Sequence, residues 1–248
     1  MIKYAIIGAG WRSEFYLRIA DLLPDTFKVS GIYIRNTQKQ KEFASKYNVN
    51  ICVTLDELLK TDFDFIVSCV NKTGICDTVR ELAGKNIPLL TETPIGTSKN
   101  EIDDFLAEIK PDWRVQVAEQ FHLMPRNAAS QSVLESGILG EVKQVQLSCC
   151  HDYHAASLIR FFLGTGDEMP EGFSFTLPDT GTRYNSRGGL LNEPQTVTSE
   201  EKFVFLNFKG KTALYDFNYE QYFSDMRASR IVIRGTNGEI INDSCTYL

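Results

Sequence analysis

Lys3-Tyr4-Ala5-Ile6-Ile7-Gly8-Ala9-Gly10-Trp11-Arg12-Ser13 is the stretch that decides how this chain folds. A short apolar run stops at Gly-x-Gly and passes into an amphipathic helix over residues 13–23, with Phe15, Leu17, Ile19, Ala20 and Leu23 as its apolar face and Pro24 as its end. A second strand over residues 27–34 follows and ends in Arg35-Asn36. Strand, glycine turn, helix and strand in this order open a dinucleotide-binding βαβ unit. Gly8 permits the tight turn, Gly10 lets backbone approach a pyrophosphate, and the helix points its unsatisfied N–H groups and positive dipole end at it. Ser13 stands where the pattern has a third glycine and is small enough for close helix–strand packing. An ordinary strand–helix turn with two glycines is the competing reading.

Alternation continues outward from this unit. Helices are expected over residues 37–47 and 99–109 and on either side of an apolar strand at 63–70, which is continuous as in a parallel sheet covered on both faces. Thr54-Leu55-Asp56-Glu57 reads as a capping box. Further strands are expected at 49–53, 87–90 and 114–118. This is a doubly wound, Rossmann-like parallel sheet over residues 1–118. Beyond it the pattern changes. A helix at 125–136 carries proline in its first turn and Gly137 at its end, and strands at 142–149, 203–208, 213–219 and 230–234 surround a helix near 155–163. Gly235-Thr236-Asn237-Gly238 signals a hairpin. Residues 179–194 are polar and glycine-bearing and read as a loop. Residues 119–248 are thus expected to form an α/β domain with an open, largely antiparallel sheet.

Composition narrows the function classes. Over 248 residues the chain is 43% apolar and 23% charged with a net charge of −6, and no basic stripe appears, so nucleic acid is not an expected partner. No run approaches the length of a membrane span, and the first apolar run lacks a cleavage site, so neither a membrane segment nor a leader is expected. Cys52, Cys69, Cys76, Cys149, Cys150 and Cys245 form no Cys-x-x-Cys pair and no zinc spacing. They fit a reducing cytoplasm as small fillers, and no metal is expected. No Gly-x-Ser-x-Gly elbow marks a hydrolase.

The glycine turn at residue 8, Glu92-Thr93-Pro94 after the fifth long strand, the helix closed by Gly137-Ile138-Leu139-Gly140-Glu141-Val142, and the later element Cys150-His151-Asp152-Tyr153-His154-Ala155-Ala156-Ser157 together resemble the glucose–fructose oxidoreductase/inositol dehydrogenase (Gfo/Idh/MocA) family over nearly the whole chain. The resemblance implies a nucleotide domain, then a sheet domain whose open sheet usually packs on a second subunit, hence a homodimer or higher homo-oligomer. It implies NAD(P)-dependent oxidation of a sugar-like or polyol alcohol. The departures point to an alternative, a cofactor-binding relative without dehydrogenase activity that acts as a regulator or partner subunit. The family's Glu-Lys-Pro lysine is Thr93 here, and both aspartates flanking its histidine are replaced, by Cys150 and Ser157. Relatives usually continue with more sheet beyond the point corresponding to Leu248.

Cofactor contacts are expected from Gly8, Gly10, Trp11, Arg12, Ser13, Arg35, Asn36, Asn71, Glu92, Thr93 and Gln120. Arg35 follows the second strand, where a carboxylate would bond ribose hydroxyls and an arginine suits a 2′-phosphate, so NADP is slightly favoured over NAD. Arg12, beside the turn, is a second arginine within reach of a phosphate. By the resemblance, His122, His151 and His154 lie in the region facing the nicotinamide. Histidine titrates near neutral pH unaided. His154 matches the family histidine and is the candidate base, with Asp152 to orient it or bind a hydroxyl, Tyr153 as a proton donor, and His122 beside the substrate.

Overall fold

The computed structural model describes residues 1–224 and 227–248, and the chain divides into two compact units, Met1–Glu119 and Gln120–Leu248.

The first unit alternates β1 (Ile2–Ile7), α1 (Trp11–Leu22), β2 (Phe27–Tyr33), α2 (Thr37–Lys46), β3 (Ile51–Cys52), α3 (Leu55–Leu59), β4 (Phe65–Ser68), α4 (Ile75–Ala83), β5 (Leu89–Thr91), α5 (Lys99–Glu108) and β6 (Val115–Val117). Its six strands run parallel in the order β3-β2-β1-β4-β5-β6. The unbroken apolar run of β1 has a direct cause. Tyr4 and Ile6 face one cluster, with Leu17 of α1 and Phe43 of α2, while Ala5 and Ile7 face another, with Leu58, Val79, Leu82 and Phe105. A strand buried on both sides has no polar face to show. Each large aliphatic side chain buried in this way stabilises the fold by roughly 1.5–3 kcal/mol.

Two local expectations are corrected. The apolar face of α1 does not extend to Leu23, which is 51% exposed and closes the helix through its N–H to the Ile19 carbonyl. Leu17 carries the contact instead. At α3, the Thr54 hydroxyl accepts from the Glu57 N–H, but the Glu57 carboxylate accepts from Val53 rather than from the N-cap residue itself. The reciprocal bond of the box is displaced by one residue.

The second unit comprises α6 (Pro125–Glu135), β7 (Val142–Ser148), α7 (Asp152–Leu163), β8 (Glu171–Ser186), β9 (Gly189–Phe208), β10 (Lys211–Asn218), β11 (Arg230–Gly235), β12 (Gly238–Ile241) and β13 (Ser244–Tyr247). They form a seven-stranded sheet in the order β13-β12-β11-β7-β10-β9-β8, antiparallel except where β7 pairs with β10. One face packs Val145, Leu147, Ala213, Tyr215, Phe217, Ile231 and Ile233 against Leu158, Ile159 and Phe162 of α7. On the other face Phe173 stacks on Phe205 and Phe175 on Phe203, at 5.5 and 5.1 Å, and Phe173 remains 62% exposed.

The expected loop at 179–194 is instead most of a hairpin. Pairing of β8 with β9 continues through Asp179↔Ser199, Thr180↔Thr198 and Thr182↔Thr196 to a turn before Gly189. Ladder bonds are made by backbone, so polar side chains do not prevent them. Arg183 also clamps the ribbon to Glu220 through two bonds of 2.8 and 2.6 Å. That anchor is 37 residues away in sequence and invisible to a local reading.

None of the six cysteines is in a disulfide; Cys52, Cys76 and Cys150 are buried and Cys245 is exposed. Among the described residues no group of three or more His, Cys, Asp or Glu is arranged to hold a metal ion, and no helix is long and apolar enough to cross a membrane.

Candidate functional site

In the first unit the site is built at the β1–α1 turn. Gly8 has φ +116°, and a Cβ there would stand 2.5 Å from the Cys69 carbonyl oxygen, so the turn presses directly on the end of β4. Gly10 is the N-cap of α1, whose first turn has no side-chain cap. A Cβ at Gly10 would meet nothing within 4 Å. A helix start with no side-chain cap and open space at its N-cap residue is a ready anion site. Ser13 is fully buried against the sheet. Trp11 is 56% exposed.

Arg12 does not extend into solvent. Its Nε donates to Glu92 Oε1 at 2.8 Å, Tyr16 donates to the same oxygen at 3.1 Å, and the guanidinium lies over the rings of Trp11, Phe15 and Tyr16. The pair ties the start of α1 to the segment after β5, with both side chains mostly buried. Burial and then the Glu92 charge push the Tyr16 phenol up, and the same causes push the Cys69 thiol up to about 12. Cys69 is therefore protonated at neutral pH and is no nucleophile. Arg35 is exposed just beyond β2, while Asn36 is occupied as the N-cap of α2, accepting from the Lys39 N–H at 2.9 Å. Asn71 accepts from the Thr73 hydroxyl at 3.2 Å, beside the end of β4. Thr93 precedes Pro94 through a cis peptide. The uncapped α1 terminus, the open space over Gly10 and exposed Arg35 fit the pyrophosphate and adenosine ribose of a dinucleotide.

In the second unit four expected residues come together at the start of α7. His151 is the N-cap; its ring lies 4.9 Å from His154 and 5.0 Å from Tyr153, and Tyr153 lies 4.4 Å from His154. Phe121 lies 4.7 Å from His154. His122 is turned elsewhere, packing on Phe161 at 5.6 Å. Gln120 is exposed at the N-cap of the 3-10 turn Phe121–Leu123. Asp152 has φ +39°, a conformation uncommon outside glycine. It is held there by its N–H, which donates to the Tyr215 hydroxyl at 3.0 Å, and by an ion pair between its carboxylate and Lys202.

Sequence reasoning missed Tyr215, Tyr219, Tyr222 and Lys202. Tyr219 and Tyr222 pack on the His151 ring at 5.1 and 5.8 Å. Burial pushes both phenols up, and they stay protonated. These residues are brought to α7 by sheet pairing across 50 to 71 positions of sequence. The recurrence of tyrosine within residues 215–222 was the one available signal, and it does not extend to Lys202.

A six-stranded parallel sheet whose first helix starts without a side-chain cap, followed by a mixed sheet carrying a histidine–tyrosine cluster, defines a fold of two units, the first of them Rossmann-like. Residues 2–119 match the GFO_IDH_MocA model, described as an oxidoreductase family with an NAD-binding Rossmann fold. The match is confined to the first unit, a little under half of the chain. An L-aspartate dehydrogenase of Methanococcus maripaludis is 25% identical over 158 residues, 62% of this chain and 57% of that one. The matched region thus spans only about three fifths of the curated relative's length. Among solved structures, an oxidoreductase from Agrobacterium radiobacter in complex with NAD+, L-tartaric acid and magnesium superposes with a TM-score of 0.69 at 18% identity, covering 99% of this chain and 75% of that one. The WlbA dehydrogenase of Bordetella pertussis, in complex with NADH and UDP-GlcNAcA, gives 0.67 at 14% identity, covering 97% and 77%. These likenesses are of fold.

Proposed function

We propose that the protein is an NAD(P)-dependent oxidoreductase that oxidises a sugar-like or polyol alcohol by hydride transfer. The observation that carries this reading is the uncapped start of α1 at the Gly8–Gly10 turn, in a unit matching an NAD-binding family. The turn and α1 would hold the pyrophosphate; Arg35 would meet the adenosine ribose or its phosphate; Asn71, Glu92 and Thr93 would line the nicotinamide end, with Trp11 and Ser13 shaping the turn. A bound nicotinamide supplies the hydride acceptor. The chain's own part is to orient the alcohol and take its proton: His154 serves as base, with Tyr153 and Asp152 placing the substrate. The test is a binding titration with NAD and NADP, followed by turnover assays over sugars and polyols, with hydroxy acids and L-aspartate as comparators. Absence of binding to either nucleotide overturns the reading.

A second reading is favoured by Thr93. A lysine there would hold the reacting oxygen with a positive charge, and threonine has none to offer. On that reading the protein binds the nucleotide as a regulator or partner subunit and turns nothing over.

For cofactor choice, Arg35→Asp is expected to move preference from NADP toward NAD by about tenfold, since a guanidinium–phosphate contact is charge-assisted and a carboxylate there repels phosphate. A mutant with unchanged preference in paired titrations removes Arg35 as the selector. A soluble location in a reducing cytoplasm suits cysteines that form no disulfide. Assembly would use the outer face of β8, β9 and β10, where Phe173, Phe175, Phe203, Phe205 and Leu214 leave an apolar patch. Light scattering at micromolar concentration is expected to report a dimer or larger species; a monomer overturns this.

A further inference from the structure

We propose that Cys149 and Cys150 are a peroxide-sensitive modification site: Cys149 is the thiol that hydrogen peroxide oxidises, and Cys150 closes a disulfide on it at the junction of β7 and α7. Neither step depends on the chain being a dehydrogenase.

The pair owes its geometry to where β7 stops. Along a strand, successive side chains point to opposite faces, which keeps neighbouring sulfurs apart. β7 ends at Ser148, and Cys149 and Cys150 lie in the bend that leads into α7. There the two sulfurs stand 3.8 Å apart. Cys150 is fully buried in the core with Leu147, Leu158 and Tyr215, whereas Cys149 is only partly covered. A small solute therefore meets Cys149 first.

The thiol chemistry divides the same way. Burial pushes the Cys52, Cys69 and Cys76 thiols up. Cys149 moves down. A hydrogen bond with the Cys150 thiol favours its ionised form, the Arg126 charge of α6 adds to this, and together they outweigh burial. The thiolate is the form that attacks peroxide.

The Cys149 thiolate takes one oxygen of hydrogen peroxide. An S–O bond forms, the O–O bond breaks, and the departing hydroxide gains a proton to become water, leaving a sulfenic acid. The Cys150 sulfur then attacks the Cys149 sulfur. The S–S bond forms, the S–O bond breaks, and hydroxide leaves with the Cys150 proton as a second water. Two electrons pass from the sulfurs to one peroxide. Neighbouring Cα atoms stand about 3.8 Å apart, short of the roughly 4.4–6.8 Å of ordinary disulfides, so the product is strained and returns readily to the dithiol with a thiol reductant. In a reducing compartment the pair rests reduced, and peroxide marks it reversibly. His151 follows directly as the N-cap of α7, with its N–H donated to the Tyr222 hydroxyl at 3.0 Å. A ring closed through the Cys149–Cys150 peptide pulls on that bond and loosens the start of α7.

Trypsin should release residues 144–160, which hold Cys149 and Cys150 and no other cysteine. The folded full chain is treated with hydrogen peroxide, unfolded in iodoacetamide and digested. The expected peptide carries no alkyl group and is lighter than the dithiol by two hydrogen atoms; dithiothreitol before alkylation should restore the doubly alkylated form. A peptide that stays doubly alkylated overturns the proposal, whatever happens at exposed Cys245. So does one with Cys149 over-oxidised and Cys150 alkylated. In Cys150→Ser, dimedone should trap the sulfenic acid on Cys149. In Cys149→Ser, Cys150 should remain open to alkylation after peroxide; its oxidation there overturns the assigned order. Amide hydrogen exchange at His151 should quicken in the oxidised chain, and unchanged exchange overturns the link to α7.

Discussion

Gly8→Val is expected to unfold the nucleotide unit or leave it unable to bind any dinucleotide. At φ +116° a β-branched residue is strained, at a cost of about 1–3 kcal/mol. Its Cβ would also sit 2.5 Å from the Cys69 carbonyl. That oxygen cannot easily retreat, since the Cys69 N–H is bonded to the Ile7 carbonyl at 2.8 Å in the β1–β4 ladder. Overpacking against backbone adds about 1–3 kcal/mol more. Against the roughly 5–15 kcal/mol that holds a typical domain together, this is a large fraction. Urea denaturation should show a midpoint lowered by about 1 M or more, given the usual dependence for small proteins. Gly10→Ala is the contrast. Its backbone has φ −99°, open to any residue, and its Cβ would meet no protein atom. Stability should be unchanged while nucleotide affinity drops, because the methyl occupies the space where a pyrophosphate would approach. If Gly10→Ala binds as tightly as wild type, the anion site is not at this turn.

His154→Ala is expected to lower turnover by about a hundredfold to ten-thousandfold, the range for loss of a general base, with nucleotide affinity within about twofold of wild type. Hydride leaves an alcohol only as its hydroxyl proton is removed. His154 sits at the first turn of α7, with Phe121 at 4.7 Å and Tyr153 at 4.4 Å. His122→Ala should act weakly, because that ring packs on Phe161 rather than joining the cluster. Near-normal turnover by His154→Ala on a confirmed substrate removes it as the base. Thr93→Lys completes the test. Activity that appears only in that variant identifies the natural protein as a nucleotide-binding relative without dehydrogenase chemistry.

The sequence by itself determined the parallel sheet and the alternation of its strands with helices. The unbroken apolar run of β1, the glycine turn and the βα alternation are local signals, because a strand covered on both faces must be apolar throughout and a helix must begin where its donors are exposed. It also determined that histidines and a tyrosine gather at residues 151–154, since a single helix turn holds them together. Tertiary structure alone decided three things. Residues 179–194 became a hairpin because the partner strand and the Arg183–Glu220 clamp outweigh a polar, turn-like composition. Arg12, which from sequence could reach a phosphate, is turned onto Glu92, 80 positions away, because α1 begins beside the end of β5. And the two histidines of α7 are made unequal by tyrosines of later elements: Tyr222 bonds one of them, and Tyr215 holds Asp152 between them at positive φ. Strand pairing sets those contacts, and nothing within a few residues of either histidine encodes them.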